Sequence, residues 1–168
     1  MNALTDQSVH QLLQQWLRAG WLRKLDVALA RMLAEELATK PLATLLLALV
    51  SHQLGRGHVC LNLQPLLSEP DRVLGLPPES FLALQQDPQS QPIPTPSQVL
   101  QGLDQAAIEQ ALEHAELVSD GTRVTPLVRR HHRDTSDLLY LYRYWRYEEQ
   151  VRQSIDQRLK HPSRLPEQ

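Results

Sequence analysis

Residues 41–54, PLATLLLALVSHQL, constrain the fold more than any other segment, because residues 41–50 are almost entirely apolar. Pro41 suits the first turn of a helix, and Gly55 suits its end. A helix that is apolar nearly all round has to be covered on every side. The apolar run is too short to cross a bilayer, which takes about 20 residues. The segment is therefore predicted to be a central, buried helix.

Two amphipathic helices are predicted before this central one. The first covers residues 9–19 and ends before Gly20, and the second is closed by Lys40 before Pro41. In both, apolar residues recur every three or four positions, as in a helix with one buried face. The positions that carry the pattern are Val9, Leu12, Leu13, Trp16 and Leu17 in the first helix and Leu25, Leu29, Met32, Leu33, Glu36 and Leu37 in the second.

Prolines divide the next part of the chain into short pieces. Residues 58–63, HVCLNL, are predicted to be extended, and residues 79–86 to form a turn or two of helix. Residues 87–97, DPQSQPIPTPS, carry four prolines and are predicted to be an extended connector. The expected organisation is a helical subdomain at 1–86, the connector at 87–97, and a second part at 98–168.

The second part is predicted to contain both helices and strands. Helices are expected at 97–103 and 104–115, with Ser97 and Asp104 as their N-caps. Asp120-Gly121 is a turn pair between two apolar segments, which predicts a β-hairpin over 117–128. Residues 129–137 are expected to form a polar loop. A strand at 138–144 would join the hairpin, so the predicted fold class is mainly α with a small antiparallel β-sheet.

Residues 138–149, LLYLYRYWRYEE, hold five of the eight aromatic residues of the chain. Their alternation predicts a strand in which Tyr140, Tyr142 and Tyr144 face the same way. From about Trp145 the period becomes that of a helix, with apolar residues every four positions from Val151 onward. Aromatic residues supply large buried areas in small cores, so one interpretation of this segment is that its rings are core.

Charge suggests a second interpretation of the same segment. Residues 1–120 carry a formal charge of -6 and residues 121–168 a charge of +4, which sum to the -2 of the chain. Arginines among exposed aromatic rings have the composition of a platform for single-stranded nucleic acid. The alternative is a set of core rings with a solvated basic rim. The arginines concerned are Arg129, Arg130, Arg133, Arg143 and Arg146.

Motifs for catalysis are missing from the printed sequence. It contains no G-x-x-x-x-G-K-[ST], so the chain is not expected to bind ATP or to act as an enzyme by itself. His52, His58 and Cys60 offer three ligand types, but a structural zinc site normally has four, and no metal or other cofactor is expected. Cys60 is the single cysteine and fits a reducing compartment, which indicates the cytoplasm.

Two segments resemble a known family. SHQLGRGHVCLNL at 51–63 resembles the segment after the central N-terminal helix of the exodeoxyribonuclease V alpha subunit, RecD. LLYLYRYWRYEEQV at 138–151 resembles the strand and helix that precede the nucleotide-binding motor of that family. The matching residues are Gly57, His58, Cys60 and Leu61 in the first segment and Leu139, Leu141, Arg143, Tyr144, Trp145 and Glu148 in the second.

The resemblance implies an N-terminal domain that packs against the RecC subunit of the RecBCD DNA repair and recombination complex. RecB-like subunits and DNA would be met through the whole complex. The ATP- and Mg-dependent helicase activity of the family resides in motor domains that the 168 residues do not include, so no catalytic residue is carried over. The candidate structural or partner-contact residues are Gly57, His58, Cys60, Leu61, Tyr140, Tyr142, Arg143, Tyr144, Trp145 and Arg146. Gly57 is expected to take a turn conformation that other residues disfavour, and Cys60 to be buried as a small apolar group.

A free-standing nucleic-acid-binding module is the alternative function. The helices at 97–115 and the predicted hairpin at 117–128 have the order of a winged helix. Their charge argues against this alternative, because acidic helices repel phosphates. The acidic residues are Asp104, Glu109, Glu113 and Glu116.

Overall fold

The structure, a computed structural model, describes residues 4–84, 92–131 and 136–160. Helices dominate this part of the chain, and a small sheet accompanies them, which confirms the predicted fold class. The helices are α1 Asp6–Arg18, α2 Lys24–Leu37, α3 Pro41–Gly55, α4 Leu63–Ser68, α5 Pro70–Leu74, α6 Glu79–Leu84, α7 Pro96–Leu100, α8 Gln105–Leu112 and α9 Tyr142–Lys160. The strands are β1 Leu61–Asn62, β2 Val118–Ser119, β3 Leu127–His131 and β4 Asp137–Leu141.

Helix α3 is the centre of the fold, as predicted. Residues 42–53 are all buried, and α1, α2, α5, α8, β1 and β4 pack around them. Pro41 occupies the first helical turn, and the chain leaves the helix at Arg56. Because α3 is enclosed, the surfaces available for function lie on the elements around it.

Helices α1 and α2 both pack against α3, but the sequence predicts the buried face of only one of them correctly. Helix α1 buries Val9, Leu12, Leu13 and Trp16, the face that the sequence predicts. Helix α2 is rotated from the predicted face, since Leu25 and Met32 are 63% and 54% exposed. Its buried residues are Asp26, Val27, Ala30 and Leu33.

A polar cluster accounts for the rotation of α2. The Asp26 carboxylate is fully buried and accepts hydrogen bonds from Ser51 Oγ on α3 at 2.6 Å and from Arg23 Nη2 at 2.6 Å. Arg23 Nη2 also donates to the Ser51 carbonyl at 2.7 Å. Burial alone would raise the pKa of Asp26, but the hydrogen bonds from Arg23 and Ser51 and the Arg23 charge hold it below its usual value. The ionised carboxylate thus ties α2 to α3.

The sheet has the order β1-β4-β3-β2 and is mixed. Strand β4 pairs antiparallel with both β1 and β3, but β2 pairs with β3 in parallel, with Val118 opposite Leu127. The predicted hairpin over 117–128 is therefore wrong, although Gly121 does turn the chain with a φ of 98°. Thr125 Oγ1 donates to Ser119 Oγ at 2.7 Å, which closes a wider loop. Strand β3 also extends into the predicted polar loop as far as His131, and residues 132–135 of that loop lie outside the described residues.

Several predicted boundaries shift by a few residues. Only Leu61–Asn62 of the segment 58–63 forms a strand. Thr95, not Ser97, caps α7, because Pro96 takes the first helical position and the Thr95 side chain accepts from Gln98 N. Asp104 caps α8 as predicted, accepting from Ala107 N. A side-chain cap thus sets the start of both α7 and α8.

One hydrophobic cluster contains buried residues from both sides of the predicted connector, including Leu46 of α3 and Ile108 of α8. Trp16 Nε1 also donates to the Pro94 carbonyl at 2.8 Å. Residues 87–91 of the connector lie outside the described residues. The division into 1–86, 87–97 and 98–168 stays a prediction.

Candidate functional site

The two segments that carry the family resemblance are adjacent in the structure. Strand β1 comes from the first segment and β4 from the second, and they pair antiparallel with Leu61 opposite Leu139 and Asn62 opposite Leu138. Leu61 and Leu139 are fully buried and belong to the core. Strand β4 then leads directly into α9. The pairing places the turn before β1 beside the beginning of α9.

The turn itself is exposed. Gly57 has a φ of 88°, a conformation that favours glycine, and a Cβ there would meet nothing within 4 Å. This confirms the turn role predicted for Gly57. His58 is exposed, whereas His52 is buried with its Nε2 2.9 Å from the Leu74 carbonyl oxygen. The described residues include no cluster of three or more metal-ligating side chains.

Cys60 and Tyr140 meet where β1 lies against β4. Tyr140 is 5% exposed, and its pKa is raised by burial and by the neighbouring Cys60 and Glu148 groups. Cys60 is half-buried, and burial followed by the Glu148 charge raises the pKa of its thiol. Full burial was expected for this thiol, and the structure corrects that expectation. Both groups are held in their neutral forms, so neither is a reactive anion near neutral pH.

The strand ends earlier than the aromatic alternation predicts. Strand β4 stops at Leu141, and Tyr142 begins α9. Pro126 precedes β3 opposite this point, and Tyr142 N donates to its carbonyl at 3.1 Å. Because proline has no N–H, it cannot return a hydrogen bond and continue the ladder. Tyr142 and Tyr144 are therefore helical, and the shared strand face predicted for them with Tyr140 is wrong.

Trp145 fixes the first turn of α9 on the sheet side. Its indole lies against Gly121, where an added Cβ would come within 3.0 Å of the ring. The Tyr142 and Trp145 rings also contact each other, with centroids 5.7 Å apart. Trp145 is half-buried. Its exposure is therefore intermediate between the two interpretations of the sequence, a ring in the core and a ring on an exposed platform.

The remainder of α9 is uncovered, and none of its residues is buried within the part of the chain that the structure describes. Large apolar side chains recur along it every three or four positions and are between 38% and 74% exposed. Val59, from the turn before β1, adds to them and is 41% exposed. We call this surface the apolar stripe, and it consists of Val59, Tyr144, Tyr147, Val151, Ile155 and Leu159.

The stripe borders an open groove of about 670 Å³. Tyr140 and Trp145 line its inner end, and Val151 and Ile155 line the helix side. The sequence indicates the four-residue spacing of the stripe but not Val59, which precedes a strand and shows no period. Exposure of the stripe is also missed, because a helical period does not say whether another element covers the face.

The predicted basic platform is only partly assembled. Arg129 is paired with buried Asp137, whose carboxylate is 2.6 Å from Nη2, and Arg130 Nη1 donates to the Asp120 carbonyl at 3.0 Å. Arg133 lies outside the described residues. Arg143 and Arg146 are exposed on α9. Arg143 Nε donates to Tyr147 Oη at 3.1 Å, and its guanidinium lies 5.6 Å from the centroid of that ring.

Charges along α9 are paired on one side of the helix. Arg152 donates to Glu149 at 3.0 Å and to Asp156 at 3.1 Å. The hydrogen bonds from Arg152 and Gln153 lower the pKa of Glu149 to about 2. Arg143, Arg146 and Arg158 form no ion pair with another described residue. The unneutralised charge of the helix is therefore positive.

No described helix is long and apolar enough to cross a membrane. A search of the curated proteins finds no match to this chain. A family model does match, over residues 18–133, and its description is RecBCD enzyme subunit RecD, N-terminal domain. The match contains α2 to α8 and the first three strands, and ends before β4 and α9. Since it covers more than half of the chain, the chain belongs to the family of RecD N-terminal domains.

Proposed function

We propose that this chain is the docking domain of a RecD-like DNA helicase subunit. It binds the RecC-like subunit and so holds the RecD-like subunit in a RecBCD-type repair and recombination nuclease. The observation that carries the proposal is the family match over residues 18–133. That match covers the central helix α3 and most of the elements that pack around it.

The uncovered surface of α9 supports a role in protein binding. Exposed apolar patches on otherwise well-packed domains commonly mark protein interaction sites. The core of this chain is already enclosed around α3, so α9 is not needed to complete it. Contacts with a RecB-like subunit and with DNA are proposed to arise in the assembled complex, which would act in the cytoplasm.

The winged-helix alternative is not favoured. A wing is a hairpin, but β2 and β3 run parallel. Helix α8 and the residues around it also remain acidic, with Asp104 capping the helix and Glu109 within it. Acidic helices repel the phosphate backbone on which affinity for nucleic acid depends.

Size-exclusion chromatography with light scattering tests the proposal. The chain is mixed with a purified RecC-type subunit of the same organism, and in parallel with a RecB-type subunit. We expect a one-to-one complex with the RecC-type subunit. A chain that remains free in the presence of the RecC-type subunit, alone or combined with the RecB-type subunit, would contradict the proposal. Leu46→Asp, which places a charge in the core, serves as the unfolded control.

A further inference from the structure

The apolar stripe has the side chains of a protein contact rather than of a nucleic-acid platform. Val151, Ile155 and Leu159 are aliphatic and follow one another at helical spacing, as in helices that lie in a partner's groove. They have no ring on which a base can stack. The Tyr144 and Tyr147 rings stand at 87° to each other, and Arg143 lies against the Tyr147 ring. Successive bases would therefore find no set of parallel, open ring faces.

The charges beside the stripe define the chemistry of the partner. Arg143 lies against Tyr147, four residues on, and Arg158 follows Ile155 by three residues on the same helical face, so a cation lies at each end of the stripe. Arg158 is exposed, and neither it nor Arg143, which contacts the hydroxyl and ring of Tyr147, forms an ion pair with a described residue. Two acidic residues, Glu148 and Glu149, line the groove beside the stripe. Glu148 interacts with Tyr140, and Glu149 is paired with Arg152, so neither neutralises Arg143 or Arg158. A partner that complements this edge has carboxylates where it meets the two arginines.

A second copy of this chain complements the stripe poorly. In an antiparallel pairing of two α9 helices centred on Val151, Arg143 of one copy would lie near Arg158 of the other, since they are eight and seven residues from the centre. A parallel pairing would place each arginine beside its own counterpart. Like charges across an interface oppose association. The stripe therefore fits a different protein better than it fits itself.

We infer that the apolar stripe of α9 is the surface that docks the partner protein, and that the partner offers an apolar groove with carboxylates at its rim. This inference rests on the proposed function, because the RecC-like subunit is the partner it names. It adds the face of the domain that makes the contact and the chemistry of the surface that receives it.

Binding of the full chain to a RecC-type subunit, measured by calorimetry, tests the inference. Val151→Asp and Ile155→Asp each place a charge in the apolar stripe, and we expect each to weaken binding by about tenfold or more. Gln157→Asp is the matched control, because it adds the same charge at an exposed position of α9 outside the stripe. Circular dichroism of each variant shows that the helix is retained.

Charge reversal tests the chemistry of the partner. Arg158→Glu should weaken binding by about threefold or more and reduce its dependence on salt, whereas Lys160→Glu, away from the stripe, should change little. Undiminished binding by the stripe variants would overturn the inference and leave the proposed function standing. Failure of the unaltered chain to bind would contradict both. Variants that lose affinity for a single-stranded oligonucleotide instead, or an unaltered chain that self-associates through α9, would also overturn it.

Discussion

The junction of α2 with α3 and the outer surface of α9 use the same kinds of residue in opposite ways. At the junction, Asp26 and Arg23 satisfy each other, and apolar neighbours such as Val27 and Ala30 are buried against α3. On α9, Val151 and Ile155 remain exposed, and Arg158 has no ion pair with a described residue. The first region is complete within the chain, and we propose that a partner completes the second. The contrast separates residues that stabilise the fold from residues available for binding.

Asp26→Ala should have the largest effect on stability. It leaves Ser51 without its acceptor and removes the partner of Arg23, so we expect a loss of about 3 kcal/mol, reduced from the full cost of a buried pair because Arg23 is half exposed. Urea denaturation measures the loss. Glu36→Ala, at an exposed position of the same helix, should stay within about 0.5 kcal/mol. Similar values for the two variants would remove the contrast between the regions.

Acid should weaken the α2–α3 junction by protonating Asp26. The pKa of Asp26 is lower in the folded chain than its usual value, so its contribution is present above that value and is lost as the pH falls below it. The difference in urea midpoint between the unaltered chain and Asp26→Asn should therefore shrink as the pH is lowered from 6 toward 3, a window set by the usual pKa of about 4. A difference that grows over this range would contradict the assigned charge state.

Trp145→Ala tests the boundary between the two regions. The ring contacts Tyr142 and Gly121 but is only half-buried, so we expect a loss of about 2 kcal/mol rather than the 3 to 5 typical of a fully buried large aromatic residue. Tyr147 lies on the exposed stripe, so Tyr147→Ala should lower the free energy of unfolding by less than about 0.5 kcal/mol. Equal losses measured by urea denaturation would show that the whole aromatic segment belongs to one environment.

Ile155→Asp should have the smallest effect on stability. Its side chain is 52% exposed and α9 buries no residue, so the free energy of unfolding should change by less than about 0.5 kcal/mol. Thermal unfolding by circular dichroism measures it. Loss of more than about 2 kcal/mol would mean that the stripe stabilises the domain itself.

Local sequence patterns predicted the helices and turns better than they predicted how these elements pack and pair with one another. The apolar run after Pro41 identified the central helix, and the period of Val9, Leu12 and Trp16 identified the buried face of α1. The pair Asp120-Gly121 identified a turn but not the strand direction after it, because a turn signal does not specify which strand pairs with which. The buried face of α2 was predicted wrongly because it is determined by the buried carboxylate of Asp26. A prediction from the spacing of apolar residues alone assigns a charged residue to the surface.

The candidate surface was only partly accessible to sequence reasoning. The aromatic segment and the four-residue period after Val151 identified its residues, but alternation through Tyr142 and Tyr144 suggested a strand where a helix begins. That strand ends because Pro126, which precedes the neighbouring strand β3, cannot extend the ladder, and this is a tertiary effect. Whether an apolar helical face is covered also depends on the rest of the fold, so the exposure of Ile155 became visible only in the structure.

Hydrogen exchange of the chain, with and without a RecC-type subunit, tests the central claim most directly. Amides of α3 should exchange slowly in both states, because this helix is enclosed by the domain itself. Amides of α9, from Tyr142 to Lys160, should exchange faster in the free chain and become protected on binding. Protection confined to α1, α2 or α8, with exchange of α9 unchanged in a stable complex, would contradict the assignment of α9 as the docking surface.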